Sequence, residues 1–140
     1  MGGIDLDPAS SELANTVVKA TTYFTEEENG LAHIWTGRVF LNPPYKRQLI
    51  EAFCDHLLAG WVLGEIEQAV VLVNNATETK WFGDMTKEAT AIVFPSKRIR
   101  YWNADGPGAH PLQGQAVLYF GKATFAFLRE FSSFGWGTYL

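Results

Sequence analysis

Residues 39–58, VFLNPPYKRQLIEAFCDHLL, join a short apolar strand, a polar corner and an amphipathic helix in direct succession. The predicted strand is Val39–Leu41, and the corner Asn42-Pro43-Pro44-Tyr45 ends it abruptly. Apolar residues then recur at the spacing of one helical face. The residues of that face are Leu49, Ile50, Phe53, Leu57 and Leu58. A strand that passes through a tight corner into a helix is the repeating unit of α/β domains.

The same alternation continues on both sides of this stretch. Upstream, a short apolar stretch over Gly3–Leu6 ends at Asp7, and a helix is predicted over residues 10–20. Further strands are predicted over 69–73, 90–94 and 115–120, a helix over 77–85, a strand or a helix over 123–131, and loops over 21–31 and 103–114. This order predicts an α/β fold with a largely parallel sheet, in which ligands bind beyond the carboxyl ends of the strands. Asp7 and Asn42 both follow such ends.

Length and composition limit the class of protein. The 140 residues predict a single domain over 1–140 with a substantial core, and 47% hydrophobic residues argue against disorder. One cysteine, Cys54, excludes an intramolecular disulfide framework and a cysteine-rich zinc site. The three histidines have no metal-ligand spacing, so we predict no metal. Without a signal peptide or an apolar stretch of membrane length, we expect a cytoplasmic protein with no membrane contact.

The corner Asn42-Pro43-Pro44-Tyr45 has a chemical interpretation beside the simple one of a turn that ends a strand. The exocyclic amine of a nucleobase is a poor nucleophile because its lone pair is delocalised into the ring. Two acceptors, the Asn42 side-chain oxygen and the Pro43 carbonyl, would localise that lone pair. Consecutive prolines hold both acceptors rigidly, and preorganised dipoles stabilise developing charge. Tyr45 offers a flat face on which an extruded base can stack.

Taken in order, several blocks of the chain resemble phage-type DNA N6-adenine methyltransferases that use S-adenosylmethionine. The resemblance implies a Rossmann-like methyltransferase fold, methylation of adenine N6, and duplex DNA as the partner. The blocks are residues 3–10, GIDLDPAS; 23–25, YFT; 28–31, ENGL; 37–40, GRVF; 42–45, NPPY; 74–82, NNATETKWF; and 98–100, RIR.

The resemblance also implies roles for individual residues. The catalytic motif falls on Asn42, Pro43, Pro44 and Tyr45 without substitution. An acidic strand end can accept the hydroxyls of the cofactor ribose, and we expect Asp7 first and Asp5 second in this role. The alternative for Asp7 is a helix N-cap, with Pro8 as the first helical residue. The remaining residues expected around the cofactor are Pro8, Phe24, Asn29 and Gly30. The alternative for Phe24 is a core aromatic, and the alternative for Asn29 and Gly30 is a simple loop turn.

A basic segment is the expected contact for DNA phosphates. It comprises Lys97, Arg98 and Arg100, with Lys46 and Arg47 beside the proline corner. A solvated charged face is the alternative, since the net charge of −4 gives the chain no general attraction to phosphate. Trp81 and Phe82 are predicted core residues, and Trp81 lining the base pocket is the second interpretation.

Two departures from the family pattern shape the alternatives. The chain has no glycine-rich loop after its first strand, and it begins at a block that an upstream segment usually precedes, so the fold is predicted to be incomplete at its N-terminus. An incomplete domain would expose apolar surface and favour a homodimer. One alternative function is a non-catalytic relic that binds nucleic acid or a protein partner. Another is methylation of cytosine N4, RNA adenine or glutamine.

Overall fold

The computed structural model describes residues 2–97, 102–103, 106–107 and 114–140, and the chain divides into two compact units, Met1–Val70 and Val71–Leu140. Each unit contains both strands and helices, which confirms the predicted mixed α/β class. In chain order the elements are β1 (Leu6–Asp7), α1 (Glu12–Val18), β2 (Thr22–Tyr23), a 3-10 turn (Gly30–Ala32), β3 (Gly37–Leu41), α2 (Arg47–Val62), β4 (Ile66–Asn74), α3 (Lys80–Glu88), β5 (Ala91–Pro95), β6 (Trp102–Asn103), β7 (Gly106–Pro107), β8 (Gln115–Phe120), α4 (Thr124–Phe131) and β9 (Gly135–Tyr139).

The strands of the first unit are hydrogen-bonded in the order β2-β1-β3-β4, and the first half of β4 belongs to this unit. β1 pairs in parallel with β2, where Leu6 lies opposite Thr22. It also pairs in parallel with β3, where Leu6 lies opposite Val39. The parallel arrangement predicted for the two strands that end near Asp7 and Leu41 is therefore confirmed. The loop predicted over residues 21–31 was too long, because it contains the short strand β2.

The core of the first unit contains residues of β3 and of one face of α2. Val39 and Leu41 of β3 are fully buried. The buried residues of α2 are Ile50, Phe53, Cys54, Leu57 and Gly60, at the helical spacing that the sequence predicts. Leu49, predicted for the same face, is exposed. Burial raises the pKa of the Cys54 thiol to about 12, so this cysteine is a core residue and not a reactive one.

Helix α1 differs from the predicted helix over residues 10–20 in both length and packing. It is shorter, and none of its residues is buried. Leu13 and Val17, which were expected to form an apolar face, are 43% and 62% exposed. The helix is instead stabilised at its ends. The Ser11 hydroxyl accepts a hydrogen bond from the Ala14 N–H at 3.0 Å, and Lys19 ends the helix in the left-handed conformation.

The second unit corrects the prediction of a mostly parallel sheet. Its strands follow the order β4-β8-β5-β9, and β5 pairs antiparallel with both β8 and β9. Ala91 lies opposite Tyr119 on one side and opposite Tyr139 on the other. The sequence between β5 and β8 predicts a loop and no crossover helix. Such a connection allows a strand to return antiparallel, because only parallel neighbours require a crossover.

The helices of the second unit pack apolar residues as predicted, and one strand is new. Trp81 and Phe82 of α3 are buried, which confirms them as core residues. The ambiguous segment 123–131 is the helix α4, which buries Phe127. Strand β9 has the sequence Gly-Trp-Gly-Thr-Tyr and was missed, because two glycines in five residues make a poor strand pattern. Within the described residues, no helix is long and apolar enough to cross a membrane.

Candidate active site

The corner Asn42-Pro43-Pro44-Tyr45 connects β3 to α2, as the sequence predicts. Pro43 is buried, whereas Asn42, Pro44 and Tyr45 are partly exposed. The Tyr45 hydroxyl donates a hydrogen bond to the Asn42 side-chain oxygen at 3.0 Å. The amide and the phenol ring of the predicted motif therefore form one connected group.

Both ends of this corner are anchored in the core of the first unit. Leu41, immediately before it, is fully buried, and Ile50 is buried in the first turn of α2. The two prolines provide no N–H group for a sheet or a helix, so β3 ends at Leu41 and α2 begins only at Arg47. Lys46 precedes the helix in an extended conformation and does not cap it through its side chain. The corner is thus a partly exposed segment, restrained by two prolines, between residues that are buried in the core.

Asp5 lies just before β1 and is bound to Arg38 of β3. The Arg38 backbone N–H donates to Asp5 Oδ2 at 2.9 Å, and its guanidinium donates to both carboxylate oxygens, at 3.2 and 3.1 Å. The side-chain hydrogen bond from Arg38 is the main reason why the pKa of Asp5 is lowered. Gly37 adopts a positive φ of 76°, and a Cβ there would lie 2.6 Å from Asp5 Oδ2. Glycine is therefore needed beside this carboxylate.

Asp7 ends β1 and is 3% exposed. Its Oδ1 accepts a hydrogen bond from the Ala9 N–H at 3.3 Å. Burial raises the pKa of Asp7, and the hydrogen bonds from Ala9 and Ser10 oppose that rise. The prediction that Asp7 caps the first helix with Pro8 as its first residue is wrong. The Asp7 side chain instead stabilises a turn by accepting the Ala9 N–H. The helix begins only at Glu12, and Ser11 is its N-cap.

Four of the residues predicted around the cofactor lie together in the first unit. The Phe24 N–H donates to the Asp7 carbonyl at 3.0 Å, and the Ser10 N–H donates to the Phe24 carbonyl at 2.9 Å. A Cβ on the buried Gly30 would lie only 2.0 Å from the Pro8 carbonyl oxygen, so these two backbones are in direct contact. Asp7, Pro8, Phe24 and Gly30 are thus held in one cluster by backbone contacts.

Two aromatic residues that no sequence pattern indicated support this cluster. His33 stacks on Phe24 with ring centroids 4.0 Å apart and an interplanar angle of 8°. The buried Trp35 indole N–H donates to the Gly30 carbonyl at 2.9 Å. Asn29, also predicted for the cofactor site, accepts a hydrogen bond from the Leu31 N–H at 3.3 Å and begins the 3-10 turn. No periodicity marks His33 or Trp35, because both lie in irregular chain.

The strand register relates the cluster to the proline corner. Leu6 lies opposite Val39 in a parallel pair, so Asp7, the last residue of β1, and Asn42, the residue after β3, lie at the carboxyl ends of adjacent strands. Asn42 is two residues beyond the position opposite Asp7. In ideal parallel strands, with a rise of about 3.3 Å per residue and about 4.8 Å between strands, two such positions would be roughly 8 Å apart. The sequence prediction that both follow strand ends on one edge of the sheet is confirmed.

The basic residues predicted to contact DNA do not all belong to one unit. Lys46 and Arg47 are exposed at the start of α2 in the first unit. Lys97 is exposed after β5 in the second unit. Arg98 and Arg100 lie outside the described residues, as does most of the predicted loop over 103–114. In the part of the chain that the structure describes, no three histidine, cysteine, aspartate or glutamate side chains form a group that could hold a metal.

Comparison with known proteins identifies the family of this chain. No curated protein matches the chain. The family described as DNA N-6-adenine-methyltransferase (Dam) matches residues 1–126. The match includes the ends of β1 and β3, the proline corner and the cluster of Asp7, Pro8, Phe24 and Gly30, and it extends over most of the 140 residues. The chain therefore belongs to the DNA N-6-adenine-methyltransferase (Dam) family.

Proposed function

We propose that this protein transfers a methyl group from S-adenosylmethionine to the exocyclic N6 of adenine in DNA, on a Rossmann-like fold. The observation that carries the proposal is the rigid Asn42–Tyr45 corner at the carboxyl end of β3, in a chain of the Dam family. The family supplies the reaction class, and the corner supplies residues with the chemistry that the reaction needs.

The corner would act by holding the adenine amine. Asn42 Oδ1 and the Pro43 carbonyl accept one N–H each, which draws the nitrogen toward a tetrahedral shape and localises its lone pair. Both acceptors are fixed before the base arrives, so little free energy is spent on reorienting them. The ring of Tyr45 stacks on the flipped base, an interaction worth about 1–3 kcal/mol. The methylated nitrogen is acidic and loses its proton to solvent, so no strong general base is needed.

The residues around Asp7 have the chemistry required to hold the cofactor. A carboxylate has about four acceptor sites, and the hydrogen bonds from Ala9 and Ser10 leave capacity for ribose hydroxyls. Asp5 is the weaker candidate, because Arg38 engages both of its oxygens. Phe24, with Pro8, Asn29 and Gly30, would line the adenine of the cofactor. S-adenosylmethionine supplies an electrophilic methyl group when bound.

Lys46 and Arg47 are the proposed phosphate contacts nearest to the corner. Both are exposed, and they follow Tyr45 directly, so a flipped base on Tyr45 would place its flanking phosphates near them. Lys97, Arg98 and Arg100 are proposed as further phosphate contacts. Contacts of this kind position the protein on the duplex and carry no sequence information.

The test is transfer of a labelled methyl group to unmethylated duplex DNA, followed by digestion and analysis of the nucleosides. We expect N6-methyladenine from the wild type, and a loss of roughly a hundredfold or more for Asn42→Ala, the size expected for removal of a preorganised acceptor. Gln48→Ala, which removes an exposed amide from α2, is the matched control and should retain activity. Equal incorporation by wild type and Asn42→Ala would contradict the proposal. Detection of N4-methylcytosine, or of methyl transfer only to RNA or to glutamine, would assign a different substrate to the protein.

A further inference from the structure

The hydrogen bond between Tyr45 and Asn42 joins two residues of the proposed catalytic corner. The phenol hydroxyl is 3.0 Å from Asn42 Oδ1, across the two intervening prolines. Both residues are partly exposed, as residues that contact a flipped base must be. The ring of Tyr45 and its hydroxyl can therefore have separate tasks.

The Asn42 side-chain amide can adopt two orientations, and the Tyr45 hydroxyl can favour one of them. One end of the amide accepts a hydrogen bond through Oδ1, and the other end donates through Nδ2. Rotation about the Cβ–Cγ bond is broad and roughly two-fold, so both ends can face the same point. If Nδ2 faced the adenine amine, the N–H donors of the two groups would oppose each other. The lone pair of the adenine nitrogen would then not be localised. The orientation of this amide thus decides whether Asn42 is useful.

We propose that the Tyr45 hydroxyl is a positioning group that orients the Asn42 amide, with Oδ1 toward the ring on which the base stacks. This inference rests on the proposed function and assigns a second role to Tyr45. A phenol O–H is a good donor, whereas its oxygen is a poor acceptor because the lone pair is conjugated with the ring. Pairing with Oδ1 is therefore preferred over pairing with Nδ2. Oδ1 has two lone pairs, so one holds the hydroxyl and the other remains for the amine.

The variant Tyr45→Phe separates the two tasks, because it keeps the ring and removes only the hydroxyl. We expect a rate of methyl transfer that is roughly two- to tenfold lower under single-turnover conditions, the range for losing one hydrogen bond. The KM for DNA should stay within about twofold, since base stacking is retained. Tyr139→Phe is the matched control, because Tyr139 is an exposed tyrosine of β9 beyond the family match, and it should equal the wild type.

Making Tyr45→Phe in a second variant, Asn42→Asp, distinguishes orientation of the amide from simple stabilisation of the proline corner. In Asn42→Asp, the carboxylate presents an acceptor whichever way it rotates, so no orienting group is needed. We expect Tyr45→Phe to cost less than about twofold in the Asn42→Asp background, although it costs more in the wild type. An equal loss in the two backgrounds would mean that the hydroxyl only stabilises the corner, and the inference would be overturned.

The outcomes also distinguish this inference from the proposed function. If the wild type transfers no methyl group to adenine, the proposed function fails first. If the wild type is active and Tyr45→Phe has the wild-type rate, the function stands and the positioning role is wrong.

Discussion

Asp5 and Arg38 join the start of β1 to β3 through side chain and backbone together. The Arg38 backbone N–H and guanidinium both donate to the Asp5 carboxylate, and the Asp5 N–H donates to the Arg38 carbonyl at 2.9 Å. The two residues are separated by 33 positions in the sequence. This pair therefore fastens the two strands that carry the proposed cofactor and substrate groups.

The first prediction concerns how low pH changes the stability that the Asp5–Arg38 pair contributes. Arg38 lowers the pKa of Asp5 from its usual value near 3.8, so the folded state binds this proton more weakly than the unfolded state. The stabilisation is complete above about pH 4 and is lost as the pH falls through the lowered pKa. Asp5→Asn should lower the melting temperature at about pH 7, and the difference from wild type should shrink below about pH 4. Asp55→Asn, an exposed carboxylate on α2, is the control for general charge loss. A difference that persisted unchanged at about pH 3 would contradict this account.

The second prediction separates stability from binding at Asp7. Burial raises the pKa of Asp7, so its ionised form destabilises the folded state at neutral pH, and the penalty disappears below the unfolded pKa. Asp7→Asn keeps an oxygen for the Ala9 N–H and removes the buried charge. We expect an equal or higher melting temperature at neutral pH. The affinity for S-adenosylmethionine, measured by calorimetry, should fall about 10- to 100-fold with the loss of charge-assisted hydrogen bonds. An unchanged dissociation constant would remove Asp7 from the cofactor site.

The third prediction compares two glycines. A Cβ at Gly30 would lie 2.0 Å from the Pro8 carbonyl oxygen, so Gly30→Ala must push these backbones apart. We expect a loss of about 1–3 kcal/mol in the free energy of unfolding, measured with urea. Gly83 lies within α3 with no atom near its missing Cβ, so Gly83→Ala should raise that free energy by about 1 kcal/mol. If both variants changed stability in the same direction, the contact between Gly30 and Pro8 would be in doubt.

The fourth prediction uses salt to examine the basic residues after the corner. Each phosphate contact adds about 0.9 to the slope of log affinity against log salt concentration. Lys46→Ala and Arg47→Ala should each reduce the slope by about that amount if the residue contacts one phosphate. Lys122→Ala removes an exposed charge from the second unit and should leave the slope unchanged. Equal slopes for the wild type and all three variants would mean that Lys46 and Arg47 form only a solvated surface.

What could be predicted from sequence was mainly local. The strand, corner and helix around Asn42 follow from adjacent residues, and the family resemblance placed Asp7 and Phe24 in one site. The partner of Asp5 could not be predicted, because Arg38 is distant in sequence and nothing in one sequence pairs them. The antiparallel return of β8 was missed because buried strands have the same apolar pattern in either direction. The stacking of His33 on Phe24 also depends on how an irregular loop folds back.

Because α1 has no buried side chains, we expect this helix to unwind locally more readily than the rest of the first unit. Unwinding this helix uncovers no core, so its local opening should cost far less than global unfolding. Its backbone amides should therefore exchange with deuterium well before those of β3, whose Val39 and Leu41 are fully buried. Only a short turn separates Asp7 from the start of α1 at Glu12, so a ligand held by Asp7 would act on the chain just before the helix. Exchange measured with and without S-adenosylmethionine would reveal whether binding at Asp7 slows this opening.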